Sequence, residues 1–422
     1  MQDPMLRRRT FLFGAMATLA VSSIGLQACA PDDANLDDES GLGVEGDLFE
    51  EVTDVSHTEV RRQSIGNCWA YAATAWAESL HLARTGNQVN ISESWITFWD
   101  WYAKILSGSG GVETNNGRTE VSTGAWWDTA ANIMRQRGVV FEGDFIPEEA
   151  NAQLSARQSA ALAAINNDLN GMGELADPAR RRDPQVVLNR LIEAFALNDD
   201  VRALIRRVFG ISGRSTLQTT TERTLGFIVR ADRFLVRTSA VRNGSVRRVD
   251  TNLATVVPGG AYAWRTASYP SFAQGRIDLM RRVFRALNHR QPVLISWLVD
   301  FNARTSRGTF DATAITTPGR QGGHLTVMED YQCVLREPNV PERTLLAGVE
   351  ASTADRLKAE RFGELEFIRI KNSWGNSPDP SGSGMFGGYN DLLATYLNGP
   401  IRWTASMSDR TPLSSVILPN GF

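Results

Sequence analysis

Residues 66–72 read GNCWAYA and open the stretch that decides the fold of this 422-residue chain. From Cys68 to Arg84 the sequence has no glycine or proline and is rich in alanine and other good helix formers. Asn67 is a favoured N-cap residue, so a helix is predicted to begin at Cys68. The first turn of a helix offers free N–H groups and the positive end of the helix dipole, which stabilise a thiolate. Cys68 is therefore a candidate nucleophile.

Two later stretches supply the partners that such a nucleophile needs. The sequence GGHLTV places His324 at the start of a predicted apolar strand, and KNSWG places Asn372 directly after the alternating run FIRIK. A thiol, an imidazole and an amide in this chain order are a cysteine nucleophile, its base and the group that orients the base. A single cysteine of this kind is more often a buried structural residue, but three such stretches in order favour catalysis.

Taken with their flanking residues, these stretches resemble the papain-like cysteine peptidases, and among them the bleomycin-hydrolase branch. The similarity covers roughly residues 56–150 and 276–397 and rests on RRQSIGNCWAYA, TGAWWD, RGVV, QPV, GGHLTVMEDYQC and IRIKNSWG. It implies a two-lobed α+β fold, in which a helical lobe carries Cys68 and an antiparallel, barrel-like β lobe carries His324 and Asn372. It also implies a peptide or protein substrate, hydrolysis through an acyl-enzyme, and no metal or other cofactor.

The resemblance also assigns roles at the site. Cys68 would be the nucleophile, His324 would form a thiolate–imidazolium pair with it and later protonate the leaving amine, and Asn372 would hold the imidazole. Trp374 would cover the contact between the histidine and the asparagine and keep water from competing for it. The branch suggests an aminopeptidase, while endopeptidase action stays open.

The substrate side of the site is matched by fewer residues. The resemblance places Gly124, Ala125 and Gly323 beside the substrate. Gln63 would donate to the oxyanion together with the backbone N–H of the nucleophile. The family usually sets this glutamine six positions before the cysteine, whereas the difference here is five and Arg62 falls at the usual place. Gln63 is favoured as the donor, with Arg62 or another group as the alternative.

The N-terminus predicts export and lipid anchoring. Residues 7–13 read RRRTFLF and fit a twin-arginine signal, and an apolar stretch then leads to LQAC, a lipobox-like site that ends in Cys29. Cys29 would carry the lipid of a membrane-anchored lipoprotein in the periplasm or on the cell surface. An ordinary signal peptide is the alternative. Cys68 and Cys333 do not form a disulfide scaffold, and Cys333 is expected to be buried and inert.

Composition and pattern divide the chain into five predicted regions: a signal peptide at 1–28, an acidic tether at 29–55, the helical lobe at 56–150, an insertion at 151–275 and the β lobe at 276–422. The insertion starts with helical spacing and ends with alternating runs around an Asn-Gly dipeptide, which predicts a β-hairpin. We expect it to rim the cleft and restrict access. A formal net charge of −3 gives no reason to propose nucleic acid as a partner.

Two other functions fit the same residues. An acyltransferase on the same fold would make amides rather than cleave them, and an added amine would reveal it. A catalytically inactive binding lipoprotein would keep the fold without the chemistry. The presence of the cysteine, the histidine and the asparagine favours the peptidase over this last alternative.

Overall fold

The computed structural model describes residues 55–108, 111–115, 117–217, 225–375 and 388–422. The helices are α1 Cys68–Thr85, α2 Glu93–Ser107, α3 Trp127–Arg137, α4 Glu142–Phe145, α5 Ala156–Asp168, α6 Pro184–Ala194, α7 Asp199–Phe209, α8 Leu253–Val256, α9 Ala273–Asn288, α10 Thr353–Phe362 and α11 Ala394–Asn398. The strands are β1 Val112–Asn115, β2 Arg118–Val121, β3 Leu235–Arg242, β4 Ser245–Asn252, β5 Arg265–Ser268, β6 Leu294–Asp300, β7 Gln321–Leu335, β8 Arg343–Leu345, β9 Gly363–Lys371, β10 Tyr389–Leu393, β11 Ile401–Trp403, β12 Ser408–Arg410 and β13 Leu413–Leu418. The predicted signal peptide and Cys29 lie outside the described residues, as does nearly all of the acidic tether.

The largest sheet is antiparallel and has seven strands in the order β10-β9-β7-β6-β13-β5, with β8 paired to the end of β7. In this register His324 on β7 lies opposite Trp297 on β6. Farther along β7, Val327 lies opposite Lys371, the last residue of β9. Because Asn372 follows Lys371 directly, the pairing of β7 with β9 brings the predicted histidine and asparagine to the same end of two neighbouring strands.

The helices pack into two hydrophobic cores, and a third core lies between α9 and the large sheet. One helical core joins α2 to α5, α6 and α7 and contains many aromatic side chains, such as Phe98, Phe145 and Phe195. The other joins α1 to α3, β3 and part of the large sheet, with Trp76 at its centre. Each helical core contains residues from both the 56–150 and the 151–275 ranges. The chain thus combines helices with an antiparallel sheet, which agrees with the coarse α+β prediction.

A β-hairpin forms at the Asn-Gly dipeptide where the alternating pattern predicts one. Strands β3 and β4 pair in register across Asn243 and Gly244, which both have positive φ angles, of 49° and 76°. Two consecutive positive φ angles are typical of a type I′ turn, for which Asn-Gly is the preferred sequence. Strand β3 contributes Val236 to the core around α1. Within the described ranges, none of the helices is long and apolar enough to cross a membrane.

Candidate active site

Helix α1 begins at Cys68, as the sequence predicts, but the residue before it is not used as predicted. The Asn67 side chain does not cap the N–H groups of α1. Its amide nitrogen donates instead to Thr97 Oγ1 at 3.0 Å and to Gln158 Oε1 at 2.8 Å. Cys68 is buried, with 4% of its surface exposed. The start of the helix is therefore fixed from the side rather than by the usual cap of its first N–H groups.

His324 is held by Asn372 at a single ring nitrogen. The imidazole Nε2 lies 2.7 Å from Asn372 Oδ1, which also accepts the backbone N–H of Ser373 at 2.8 Å. At its other end Asn372 donates to Asn390 Oδ1 at 2.8 Å, and Asn390 in turn donates to the Gly308 carbonyl at 2.7 Å. This chain of bonds fixes which end of Asn372 faces the ring. A carbonyl acceptor there requires Nε2 to carry the proton and leaves Nδ1 as a base.

Two tryptophans enclose the imidazole. Trp374 stacks on the ring at a centroid distance of 5.0 Å and an interplanar angle of 16°, and Trp297 meets it edge-on at 5.5 Å. Only 3% of the surface of His324 is exposed. In the described part of the chain, Nδ1 of this ring has no hydrogen-bond partner. The ring is thus oriented by Asn372, confined by the indoles and left with one unused nitrogen.

The thiol lies next to this histidine on β7. The backbone N–H of Leu325, the residue after His324, donates to the sulfur of Cys68. Burial raises the pKa of the Cys68 thiol to about 11, outweighing the N–H groups that favour its ionised form. Burial also lowers the pKa of His324 to about 4, against the hydrogen bond to Asn372. Burial thus favours the neutral forms of both groups, against the thiolate–imidazolium pair expected from the sequence.

Gln63 lies between the nucleophile and the asparagine but faces inward. Its side chain is 1% exposed, donates to the Ile65 carbonyl at 2.9 Å and accepts from Ser373 Oγ at 2.6 Å. Its backbone N–H also donates to the Ser373 carbonyl at 2.9 Å. The next residue back, Arg62, pairs through its backbone with Trp374. The amide expected to serve the oxyanion is therefore engaged within the protein in this structure.

The loop predicted to line the substrate site is attached to the nucleophile helix. Trp69, the neighbour of Cys68, donates its indole N–H to the Thr123 carbonyl at 2.8 Å. Lys104 donates to the Gly124 carbonyl at 2.8 Å and forms an ion pair with Asp100 at 2.6 Å. The loop before α3 is therefore held against α1 through Trp69 and against α2 through Lys104. The third predicted substrate residue, Gly323, lies on β7 beside the histidine and pairs with Leu298.

A group of buried charges behind the site was not predicted from the sequence. Lys371 donates to Thr58 Oγ1 at 3.1 Å, and that hydroxyl donates to Glu78 Oε2 at 2.5 Å. The other oxygen of Glu78 accepts the Ile91 backbone N–H at 2.7 Å. Burial lowers the pKa of Lys371 to about 8. Glu78 is the one acidic residue of α1, and an acidic side chain in the apolar middle of the helix could have indicated a buried polar contact.

The last thiol is remote from this chemistry. Cys333 is fully buried on β7, and the described chain contains Cys68 and Cys333 as free cysteines. Burial raises the pKa of Cys333 to about 12. The burial expected for Cys333 is thus confirmed, and the charges of Glu366 and Asp330 further disfavour a thiolate there.

Solved structures show low similarity to this chain. A structure reported with the mite allergens Blo t 1 and Der p 1 has 12% identity and a TM-score of 0.33 over 96% of this chain and 78% of its own. Two structures of the ragweed pollen cysteine protease Amb a 11 in its proform have 13% identity. Their TM-scores are 0.30, over 86% of this chain and 62% of theirs, and 0.31, over 88% and 68%. No family model and no curated protein matches the sequence. TM-scores this low define neither fold nor activity here, so the site itself has to carry the functional conclusion.

Proposed function

We propose that this protein is a papain-like cysteine peptidase that cleaves peptide bonds with Cys68 as its nucleophile. The observation that carries the proposal is the hydrogen bond between His324 Nε2 and Asn372 Oδ1 under Trp374. This bond leaves Nδ1 free as a proton acceptor, and the thiol contacts the N–H of the next residue, Leu325. Each of the three residues needed for cysteine catalysis is thus held in a role that suits it.

The chemistry follows from these positions. The sulfur of Cys68 attacks the peptide carbonyl carbon while its proton passes to Nδ1 of His324. The tetrahedral intermediate then expels the amine, which takes that proton from the imidazolium, and a thioester acyl-enzyme remains. Water attacks the thioester with His324 again as base, releasing the acid and restoring the thiol. Asn372 keeps the ring in the orientation that serves both proton transfers.

The developing oxyanion needs hydrogen-bond donors beside the sulfur. The backbone N–H of Cys68 lies in the first turn of α1, where such groups lack partners within the helix, and supplies one donor. Gln63 could supply a second by exchanging its bond to the Ile65 carbonyl for one to substrate. Arg62 is the alternative. Comparing Gln63→Ala with Arg62→Ala would identify the donor, since its loss should reduce kcat by about a hundredfold.

The first test is chemical modification of the reduced, folded protein with an epoxide inhibitor of cysteine peptidases, followed by peptide mapping. The proposal expects selective modification of Cys68, with Cys333 as the internal control, and hydrolysis of a peptide library. His324→Ala should abolish the labelling while the protein stays folded. No labelling, or equal labelling of both cysteines, would instead support the inactive binding protein.

We further propose an aminopeptidase related to the bleomycin-hydrolase branch, on the sequence resemblance alone. Such an enzyme needs a free substrate amine, so N-acetylated peptides should resist cleavage while their free-amine counterparts are cut. Equal cleavage of both forms would indicate endopeptidase action.

We also propose that the protein is exported and anchored through a lipid on Cys29, as the RRRTFLF and LQAC sequences indicate. Mass spectrometry of protein extracted from membranes should find the acyl chains on Cys29. Cys29→Ser should abolish the modification and release the protein from the membrane. A membrane-bound Cys29→Ser variant would contradict lipid anchoring at this residue.

A further inference from the structure

The nucleophile loop, defined as residues 61–67, is held on two sides by distant parts of the chain. On one side it pairs with the residues after Asn372: the Gly375 N–H donates to the Arg61 carbonyl at 3.2 Å, and Arg62 bridges to Trp374. This side joins the nucleophile to the asparagine. The other side is formed by residues 153–158, which belong to the predicted insertion.

Residues 153–155 run beside the nucleophile loop like a short parallel strand, and helix α5 begins at Ala156. The Arg62 N–H donates to the Gln153 carbonyl at 2.7 Å, and Arg62 forms a parallel bridge with Leu154. Ser64 Oγ donates to the Ser155 carbonyl at 2.6 Å. The loop is therefore the middle member of three adjacent segments. One of its neighbours carries catalytic residues, and the other carries none of the residues assigned above.

Gln158 connects residues 153–158 to the residue that precedes Cys68. This side chain has no exposed surface. Its Oε1 accepts a hydrogen bond from Nδ2 of Asn67 at 2.8 Å, and its Nε2 donates to Ser94 Oγ on α2 at 3.0 Å. Ser155 at the start of α5 accepts the backbone N–H of Gln158 at 3.2 Å, which fixes the first turn of that helix. Gln158 thus links α5, α2 and the residue that precedes Cys68.

The orientation of the Asn67 side chain connects this link to the position of Cys68. An asparagine at the N-cap normally turns its side chain onto the first N–H groups of its own helix. Asn67 turns away, toward Gln158 and Thr97, so these two groups set its orientation. Because Asn67 and Cys68 share a peptide bond, a shift of Asn67 would displace the sulfur and the N–H proposed for the oxyanion. A displacement of about 1 Å in a catalytic group can cost a hundredfold in rate.

We propose that Gln158 is a positioning residue for Cys68, acting through Asn67. The 151–275 region would then help to place the nucleophile, whatever its effect on access to the cleft. This inference rests on the proposed function, because a position that matters for catalysis presupposes a reactive thiol. It predicts that a change in α5 slows the chemistry at Cys68 without weakening the binding of the reagent.

Gln158→Met tests the inference by removing the amide while keeping the length of the side chain. Gln153→Met is the matched control, because its side chain is exposed and the bond to Arg62 uses only its backbone. The measurements are kinact and KI for the epoxide at Cys68, with the free energy of unfolding determined separately. We expect kinact to fall by about tenfold or more in Gln158→Met with KI nearly unchanged, and both to be unchanged in Gln153→Met.

A double-mutant cycle with Asn67→Ala separates positioning from general stability. If Gln158 acts through Asn67, the single change Gln158→Met should slow the labelling of Cys68. The same change made in the Asn67→Ala variant should slow it little further. Additive losses in kinact would overturn the proposal, as would a wild-type kinact in folded Gln158→Met. If Gln158→Met does not fold, Asn67→Ala tests the same bond from its other side, and a wild-type rate there overturns the proposal. Wild-type Cys68 that reacts no faster than Cys333 would contradict the proposed function, and this inference with it.

Discussion

At the scale of single residues, the site depends on side chains whose ordinary acidity is changed by burial. The imidazole of His324 lies between two indoles, and its pKa is lowered to about 4 chiefly by loss of contact with water. The hydrogen bond to Asn372 opposes this shift without reversing it. Trp374 therefore covers one face of the ring, and its proposed role is to keep water from the hydrogen bond between His324 and Asn372.

Trp374→Ala should move the pKa of His324 upward, from about 4 toward its ordinary value of 6.5, because it lets water reach the ring. The measurement is an NMR titration of the histidine ring protons. Trp126→Ala is the matched control, since Trp126 is 58% exposed and its loss should leave the titration unchanged. An unchanged His324 titration in Trp374→Ala would show that the indole does not keep water from the ring.

Glu142 should make the protein less stable as the pH rises. Burial, and then the charge of Glu93, raise its pKa to about 8 from 4.5, so the folded state favours the protonated carboxyl. The stability that this group contributes is complete below about pH 4.5 and is lost as the pH rises to about 8. Glu142→Gln should therefore stabilise by about 2 kcal/mol at pH 8 and hardly at pH 4. Denaturant unfolding at the two pH values measures this, with Glu148→Gln at an exposed position as the control.

At the scale of secondary-structure elements, short polar links fix one element against the next. Lys104 on α2 is the clearest example, because it pairs with Asp100 on its own helix and donates to the Ser122 and Gly124 carbonyls of the loop before α3. Burial raises the pKa of Asp100 to about 6 even with the lysine beside it. The lysine thus offsets part of the cost of a buried carboxylate.

Lys104→Met should destabilise the protein by about 3 kcal/mol, because it leaves a buried carboxylate without its cation. The loss should be larger at pH 8 than at pH 5, because folded Asp100, with its pKa of about 6, is ionised at pH 8 and needs the cation there, whereas at pH 5 its carboxyl is mostly protonated. Unfolding of Lys104→Met and of Lys104→Met/Asp100→Asn at both pH values measures the effect. The double variant should recover much of the loss, and failure to recover would locate the lysine's contribution in the loop carbonyls instead.

At the scale of the whole molecule, the two ranges that the sequence separated share their cores. Phe195 lies in the predicted insertion, yet its ring packs against Phe98 and Trp101 of α2 at centroid distances of 5.6 Å and against Phe145 of α4 at 6.2 Å. Cores shared in this way couple the unfolding of the parts that build them.

Phe195→Ala should lower the free energy of unfolding of the protein by about 4 kcal/mol. Helix α2 should be destabilised as much as helices α5 to α7. Amide hydrogen exchange, measured for each helix separately, would show the coupling, because protection should fall by a similar amount in α2 and in α5 to α7. Phe272→Ala at a 64% exposed position is the control. Loss of protection confined to residues 151–275 would mean that this range unfolds by itself.

The sequence could predict what depends on neighbours along the chain. It placed the start of α1 at Cys68, Asn372 directly after a strand and a hairpin at Asn243 and Gly244, because propensity, alternation and turn chemistry are local. It did not foresee the contact between Asn67 and Gln158, which are 91 positions apart and show no shared pattern.

The direction of the pKa shifts at the site could not be predicted from the sequence either, because it depends on burial in the folded chain. The helix dipole favours a thiolate at Cys68, but enclosure by the rest of the chain outweighs it. The departure at Gln63 was visible as a shortened spacing. Only the fold shows that its amide is already engaged, with the Ile65 carbonyl and the Ser373 hydroxyl.

The burial of both reactive groups has a consequence for the kinetics of this protein. With 4% of Cys68 and 3% of His324 exposed, little of either side chain reaches the surface of this conformation. If the proposed peptidase has to open further to admit a peptide, every apparent affinity is weakened by the fraction of molecules in the open state. A substrate or partner that favours the open state would act as an activator without touching the chemistry. The measured potency would then be a property of that equilibrium as well as of the site.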